Sequence, residues 1–414
     1  MSAIVLAVGD ELTAGQTVDT NSAYLSRRLR ELGIATSAHV TVGDDRAAVA
    51  AALGDAAGRA ELVIVTGGLG PTADDITRDG LADAMGVALA PHEPSLRRIE
   101  EFFRLRGRQM VAANRVQAML PGGAEAMDNC CGTAPGIAAR LGGAAVFVLP
   151  GVPHEMREMF ERHVAPRLPA APGTIACRTL HAFGAGESDI GAKIADLMRR
   201  GANPAVGTTV CAGVISVRIA ARAADAAEAA RLADAAAAEV RRRLGELLFA
   251  QDDDTLAAAA GTLLRARGQT LATAESCTGG AIGELVTAVA GASDYYLGGV
   301  VSYANAAKRD LLGVSEELLV ENGAVSEPVA AAMAEGCRRR FGADWALAVT
   351  GIAGPAGGSA EKPVGLVYIA LSGAEGTQVQ RHVFPGDRAT VRSRSAMAAL
   401  NMLRLALCEP QAGR

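Results

Sequence analysis

Short, wholly apolar runs recur along this chain, and each opens at once into glycine or acidic residues and then a helical pattern. Few folds accept that alternation. Ile4–Val8 leads into Gly9-Asp10-Glu11, Leu62–Val65 into Thr66-Gly67-Gly68-Leu69-Gly70-Pro71-Thr72, and Ala144–Leu149 into Pro150-Gly151-Val152-Pro153. Tyr24, Leu25, Leu29 and Leu32 follow the first run at helical spacing, and a helical run from His154 to Phe160 follows the third. A strand without polar alternation is buried on both faces, so this part reads as a largely parallel sheet with helices on either side.

The pattern breaks at Pro166-Arg167-Leu168-Pro169-Ala170-Ala171-Pro172-Gly173, whose three prolines suit a linker. A small α+β unit is expected next: a strand near Thr174–His181, a helix from Glu187 to Arg200, strands at Val206–Cys211 and Val214–Ala220, and a helix from Asp225 to Leu244. The acidic trio Asp252-Asp253-Asp254 marks a second boundary, after which α/β alternation returns. Strands are expected at Thr270–Thr273, Leu297–Tyr303, Trp345–Val349 and Val364–Leu371, with a final helix from Thr390 to Leu407. The expected architecture is therefore α/β: two three-layer α/β/α domains, 1–168 and 255–414, joined by a KH-like α+β domain, 174–246. At about 150 residues per domain, 414 residues accommodate two or three such units.

Composition excludes several function classes. A net charge of −5 advertises no non-specific attraction to nucleic acid, and the middle unit lacks the GxxG loop with which a KH module clamps a backbone. Seven scattered cysteines without a CxxC pair support neither a disulfide framework nor a structural zinc site. No apolar stretch approaches the ~18–20 residues that cross a bilayer, and the chain reads as cytoplasmic.

Ligands of doubly wound sheets sit outside the carboxyl ends of the strands. Three strand ends in the first domain carry glycine N–H donors (Gly67, Gly68 and Gly70, with Thr72 beyond them) or carboxylates (Asp10, Glu11, Asp74, Asp75 and Glu155). An aspartate at a helix start is commonly a cap; convergence of three such loops suits a divalent cation on a phosphate or diphosphate. Neither a P-loop nor a GxGxxG fingerprint occurs.

In the last domain, the strand ending at Thr273 runs into Ala274-Glu275-Ser276-Cys277-Thr278-Gly279-Gly280 and then a helix. Ser276 sits at a strand-to-helix turn, where the N–H groups of Cys277 to Gly280 would form an oxyanion hole, although an isolated Ser276 or Thr278 there is commonly a helix cap; Cys277 is a rival nucleophile, since a helix N-terminus lowers a thiol pKa. The segment holds one histidine, His382, so a Ser-His-Asp triad is poorly supported. Only three of the chain's 40 basic residues are lysines, and two of them, Lys308 and Lys362, lie here. A lysine desolvated in a pocket can deprotonate serine, which arginine cannot do. The loop beginning Thr350-Gly351 fits a small-ligand pocket, and Arg388 and Arg392, one helical turn apart, read either as an anion clamp suited to a phosphate monoester or as a solvated basic face.

These motifs resemble the full-length CinA family over essentially the whole chain. Gly9-Asp10-Glu11-Leu12, TGGLGPTADDIT (66–77), GTAPG (132–136) and LPGVPHEM (149–156) are similar to its molybdopterin-binding-like domain, and HAFGAGES (181–188) to its middle domain. AESCTGG (274–280), SYANAAK (302–308), GAVSE (323–327), TGIAGP (350–355) and KPVGLV (362–367) are similar to its C-terminal deamidase domain. The resemblance implies two activities in pyridine-nucleotide recycling. The N-terminal domain would hydrolyse ADP-ribose to AMP and ribose 5-phosphate with a divalent metal, magnesium or cobalt. The C-terminal domain would convert nicotinamide mononucleotide to nicotinate mononucleotide and ammonia without a cofactor. The family's serine and lysine fall on Ser276 and Lys308; Tyr303, Asn305 and Thr350 are candidates to orient the lysine or the amide. A homodimer is expected from the resemblance alone. Two other readings stand beside this one: a non-hydrolytic pterin-binding module at the N-terminus, or an interaction protein in DNA uptake or repair.

Overall fold

The structure is a computed structural model and describes residues 1–169, 174–211, 213–252 and 254–408. The end of the expected proline-rich linker, Ala170–Gly173, and Asp253 of the acidic trio lie outside the described residues. Two compact units divide the chain: Met1–Ala176 with Ala221–Arg231, and Cys177–Ala220 with Leu232–Arg414.

The first unit is built on β1 (Ser2–Val8), α1 (Thr20–Glu31), β2 (Ala35–Val42), α2 (Arg46–Arg59), β3 (Leu62–Thr66), α3 (Thr77–Met85), α4 (Glu93–Leu105), β4 (Glu125–Met127), β5 (Gly136–Leu141), β6 (Ala144–Leu149) and α5 (Pro153–Met159). Its sheet runs β2-β1-β3-β6-β5-β4. The first four strands are parallel, and β5 and β4 are antiparallel additions, so the sheet is mixed. The apolar runs divide by strict alternation. Ile4, Leu6, Val8, Val63, Val65, Val146 and Val148 pack on one face with Val49 and Leu53 of α2 and Leu81 of α3. Ala3, Val5, Leu62, Ile64, Phe147 and Leu149 pack on the other with Leu25 and Leu29 of α1 and Met156 and Met159 of α5.

The middle region comprises β7 (Thr174–Ala182), α6 (Glu187–Ile194), β8 (Ala205–Cys211), β9 (Val214–Ala223), α7 (Ala226–Leu244) and β10 (Leu248–Gln251), with strand order β8-β9-β7-β10. It is the KH-like α+β region, with two departures. Helix α6 ends at Ile194 instead of Arg200, because Leu197 and Met198 donate to carbonyls only three residues back, which tightens and ends the spiral. A fourth strand, β10, pairs antiparallel with β7.

The remainder of the second unit contains α8 (Leu256–Arg267), β11 (Leu271–Glu275), α9 (Ala281–Thr287), β12 (Tyr296–Val301), α10 (Asn305–Leu312), α11 (Glu316–Asn322), α12 (Glu327–Phe341), β13 (Trp345–Gly351), β14 (Leu366–Gly373), β15 (Gly376–Val383) and α13 (Arg388–Cys408). Its sheet, β12-β11-β13-β14-β15, has three parallel strands followed by an antiparallel pair. Alanines 272, 274, 346, 348 and 370 line one face, where α12 docks through Val329, Ala330 and Met333. Leu271, Leu347, Val349, Val367 and Ile369 fill the other, under α8 and α13. No helix among the described residues is long and apolar enough to cross a membrane.

Candidate functional site

Strand β11 lies between β12 and β13, and all three point their carboxyl ends the same way. At the end of β11 the Ser276 N–H donates to the Val349 carbonyl at 2.9 Å, and the Ser302 N–H donates to the Glu275 carbonyl at 2.8 Å. The chain then turns sharply, with Gly279 and Gly280 both at positive φ (63° and 97°), where a Cβ is strained.

Glu275 organises this turn. Its carboxylate, 2% exposed, accepts the N–H groups of Gly280 (2.9 Å), Ile282 (3.1 Å) and Gly283 (2.9 Å). Gly279 donates to the Ser276 carbonyl at 3.1 Å. Of the expected oxyanion-hole donors, Gly279 and Gly280 are thus occupied. Those of Cys277 and Thr278 carry no backbone acceptor among the described residues.

Lys308 projects from α10 into this corner and is 1% exposed. Its Nζ is 3.1 Å from Ser276 Oγ, 2.8 Å from the Ser302 carbonyl and 3.2 Å from the Tyr303 carbonyl. A neutral amine has two N–H donors and one lone pair. As an ammonium, Nζ donates to all three oxygens; in the neutral form the two carbonyls take the donors and the lone pair is left for the hydroxyl of Ser276. Among the described residues no carboxylate pairs with Lys308. Burial therefore holds its pKa below the ordinary lysine value, with only the nearby Cys277 sulfur acting the other way.

The remaining expected residues divide into several groups. Cys277 lies in the apolar core, and burial pushes its thiol up to about 11, outweighing the lowering by its own backbone N–H, by Lys308 and by Arg388, so the net lowering expected at a helix start does not result. Thr350 is buried at the end of β13 and donates to the Ala324 carbonyl at 2.7 Å. Gly351 packs against β14, where a Cβ would meet Val367. The Tyr303 ring is exposed, and its hydroxyl accepts from Arg388 at 3.1 Å. Asn305 is exposed at the start of α10. Arg388 also donates to the Gly354 carbonyl at 2.9 Å. Arg392 turns inward: its Nε (3.2 Å) and Nη2 (2.8 Å) both donate to the Thr278 carbonyl, pinning the Ser276 turn. Lys362 is elsewhere, donating to the carbonyls of Asn322 and Val325.

In the first unit, the carboxyl ends of β1, β3 and β6 open into a cleft of about 510 Å³ lined by Gly9, Glu11, Asn21, Asp44, Gly67, Gly68, Gly70, Asp74, Asp75, Gly151 and Glu155 among others. Gly67 lies so close to β1 that a Cβ would strike the Val8 carbonyl oxygen. Asp10 and Asp44 exchange bonds, each backbone N–H donating to the other's carboxylate at 2.9 Å. Burial, with Asp10, Glu11 and Asp74 nearby, raises the pKa of Asp44. Asp74 is exposed, and a hydrogen bond from Thr72 lowers its pKa. Asp75 is occupied within its own loop, accepting from the Gly70 N–H (2.7 Å) and from the N–H (2.9 Å) and hydroxyl (2.5 Å) of Thr72. Glu155 accepts from Asn129 at 2.6 Å. Among the described residues no three His, Cys, Asp or Glu side chains converge as a metal-binding group.

Sequence reasoning missed Glu275 and Asp44. A charged residue ending an apolar strand was the available signal for the first. The second repeats the Gly9-Asp10 pattern as Gly43-Asp44, after a strand with no apolar run to announce it.

Comparison with known proteins accounts for nearly the whole chain. Residues 4–170 match a probable molybdopterin binding domain, 177–250 the damage-inducible protein CinA KH domain, and 253–407 the CinA C-terminal domain. A CinA-like protein of Anaeromyxobacter sp. (strain Fw109-5) is 47% identical over 404 residues, covering 97% of this chain and 98% of its own. A CinA-like protein of Geobacter sulfurreducens is 44% identical over 407 residues, covering 98% of each. Among solved structures, the competence/damage inducible protein CihA from Agrobacterium tumefaciens is 45% identical, covering 37% of this chain and 94% of that one, with a TM-score of 0.36.

Proposed function

The chain belongs to the CinA family, and from that premise we propose that its C-terminal domain is a serine/lysine amidohydrolase that converts nicotinamide mononucleotide to nicotinate mononucleotide and ammonia. The observation that carries this reading is the buried Lys308 amine 3.1 Å from Ser276 Oγ, without a carboxylate partner among the described residues. Lys308 takes the Ser276 proton as Oγ attacks the carboxamide carbon. The N–H groups of Cys277 and Thr278 receive the developing oxyanion, where preorganised donors are worth most. Lys308 returns the proton to the departing ammonia, and water, deprotonated by the same amine, releases the acid from the acyl-enzyme. Arg388, exposed beside Tyr303, is placed to meet the 5′-phosphate, whereas Arg392 is committed to the turn. Ammonia release from nicotinamide mononucleotide by wild type but not by folded Ser276→Ala tests the reading; equal release by both refutes it.

For the N-terminal cleft the reading is hydrolysis of ADP-ribose to AMP and ribose 5-phosphate. Its donor set is all hard oxygen, which fits magnesium or another divalent cation. A cation carried on a diphosphate needs only one or two protein carboxylates, so Asp44 and Asp74 on the cleft wall suffice, with Asp10 held beside them by its bond from the Asp44 N–H. Bound there, the cation would neutralise diphosphate charge and activate water. The chain's own part is to hold the diphosphate against the N–H groups of Gly68 and Leu69, since those of Gly67 and Gly70 already donate to the Leu149 carbonyl and to Asp75. The absence of a converging trio among the described residues favours a second reading, a non-hydrolytic nucleotide- or pterin-binding module. AMP formation that EDTA abolishes supports the hydrolase, and nucleotide binding without turnover supports the module.

A further inference from the structure

Two cysteines adjacent in sequence stand beside the N-terminal cleft, and nothing above uses them. Cys130 and Cys131 lie in the loop between β4 and β5, the first exposed and the second half-buried. Neighbouring residues of an extended strand point to opposite sides. Here the turn of the loop brings both side chains together, with the sulfurs 3.6 Å apart.

Asn129, 3% exposed, connects this loop to the cleft. Its Oδ1 accepts the N–H of Cys131 at 3.0 Å and that of Gly132 at 2.9 Å. Its Nδ2 donates to the Ala134 carbonyl at 3.0 Å and to the Glu155 carboxylate at 2.6 Å. Ala134 and Glu155 line the cleft. The peptide N–H between the two cysteines is therefore the first link in a chain of bonds that ends on the cleft wall.

Consecutive Cα atoms are about 3.8 Å apart, less than the ~4.4–6.8 Å that disulfides ordinarily span. Closing a disulfide between neighbours makes an eight-membered ring and twists the peptide inside it, the same peptide whose N–H Asn129 holds. We propose that Cys130 and Cys131 form a modification site for low-molecular-weight disulfides of the glutathione type, which close it to a vicinal disulfide, break the Cys131–Asn129 bond and loosen Glu155. The Cys130 thiolate attacks one sulfur of the small disulfide and expels one small thiolate. Cys131 Sγ gives up its proton to solvent and displaces the second small thiolate from Cys130. Two protein thiols are oxidised to one S–S bond, and one small disulfide is reduced to two thiols. Cys130 is exposed and Cys131 half-buried, so Cys130 meets the small disulfide first and Cys131 resolves.

The full chain is incubated with oxidised glutathione, alkylated and digested. The peptide spanning 130–131 is expected two hydrogens lighter and unalkylated, and dithiothreitol restores it. Cys131→Ser is expected to stop at a glutathione adduct on Cys130, and Cys130→Ser to leave Cys131 open to alkylation. Hydrogen exchange over 129–135 and 150–158 is expected to rise several-fold on closure and to fall back on reduction. A wild-type peptide still alkylated at both cysteines overturns the site. Closure with unchanged exchange overturns its connection to the cleft. Neither readout depends on what the cleft binds.

Discussion

Replacing Lys308 by methionine separates a catalytic amine from a structural one. The substitution keeps the aliphatic stem and removes the base. It leaves the Ser302 and Tyr303 carbonyls without their donor, at a cost of about 1–3 kcal/mol for each one fully buried. Against that, it abolishes the cost of burying an amine whose pKa lies below its ordinary value. The sign is definite: the unfolded chain binds this proton more tightly than the folded one. The penalty is full below the folded pKa and disappears as pH rises to about 10.4, at about 1.4 kcal/mol per unit of depression. Wild type is thus expected to gain stability from this residue as pH rises through that window, and Lys308→Met to lose that slope. The two effects oppose each other, so the variant should remain folded. Its kcat for ammonia release is expected to fall by about 10³-fold or more, as for other nucleophile–base units. The wild-type kcat/KM should rise with pH as the lysine deprotonates, with a midpoint below that of free lysine. The assay is ammonia release from nicotinamide mononucleotide across pH, alongside thermal unfolding. A folded Lys308→Met within tenfold of wild type would refute the base assignment, and Lys308→Arg should be as inactive as Met.

Arg388→Ala is expected to raise KM about tenfold or more, the loss of a charge-assisted contact, with kcat little changed. Arg392→Ala should instead lower kcat, because the Thr278 carbonyl loses both donors; steady-state kinetics separate the two, and the reverse pattern would exchange their roles. With its thiol pushed up to about 11, Cys277 should be inert at neutral pH, so Cys277→Ala retains turnover and iodoacetamide fails to inactivate. Gly280→Ala, at φ 97°, should cost about 1–3 kcal/mol in thermal unfolding and reduce kcat; an unchanged melting temperature would show that the turn relaxes freely. Asp10→Asn should abolish AMP formation from ADP-ribose while leaving ammonia release intact, and loss of both would mean that the two chemistries are not independent.

The legible elements are those whose apolar residues had nowhere else to go. Leu62–Val65 is apolar at every position because both sides of β3 are covered, and it reads as a strand without help. By contrast, β2 (ATSAHVTV) and β15 (GTQVQRHV) alternate between half-buried and exposed positions at the sheet edges, and neither announces itself. The antiparallel strands β4 and β5, which make the first sheet mixed, are likewise short or partly polar. At the candidate site, Ser276 is marked by its strand-to-helix turn and Lys308 by the scarcity of lysine. The hydrogen bonds that consume Gly279, Gly280 and Arg392 have no trace in the spacing of residues.

The alternation of strands and helices, the loops that close each strand and the residue types available for chemistry are all written in the order of the amino acids. These follow from local pattern: period-two burial, helical spacing, and glycine where the backbone must turn. Which groups meet is settled by packing between elements far apart in the chain. Lys308 reaches Ser276 across 32 residues because β12 pairs beside β11 and α10 turns back over their ends. Lys362, just as scarce a residue type, is carried to the 322–325 loop instead. Burial in that corner favours a neutral amine, and burial is set by every element packed around a residue, which no local pattern encodes.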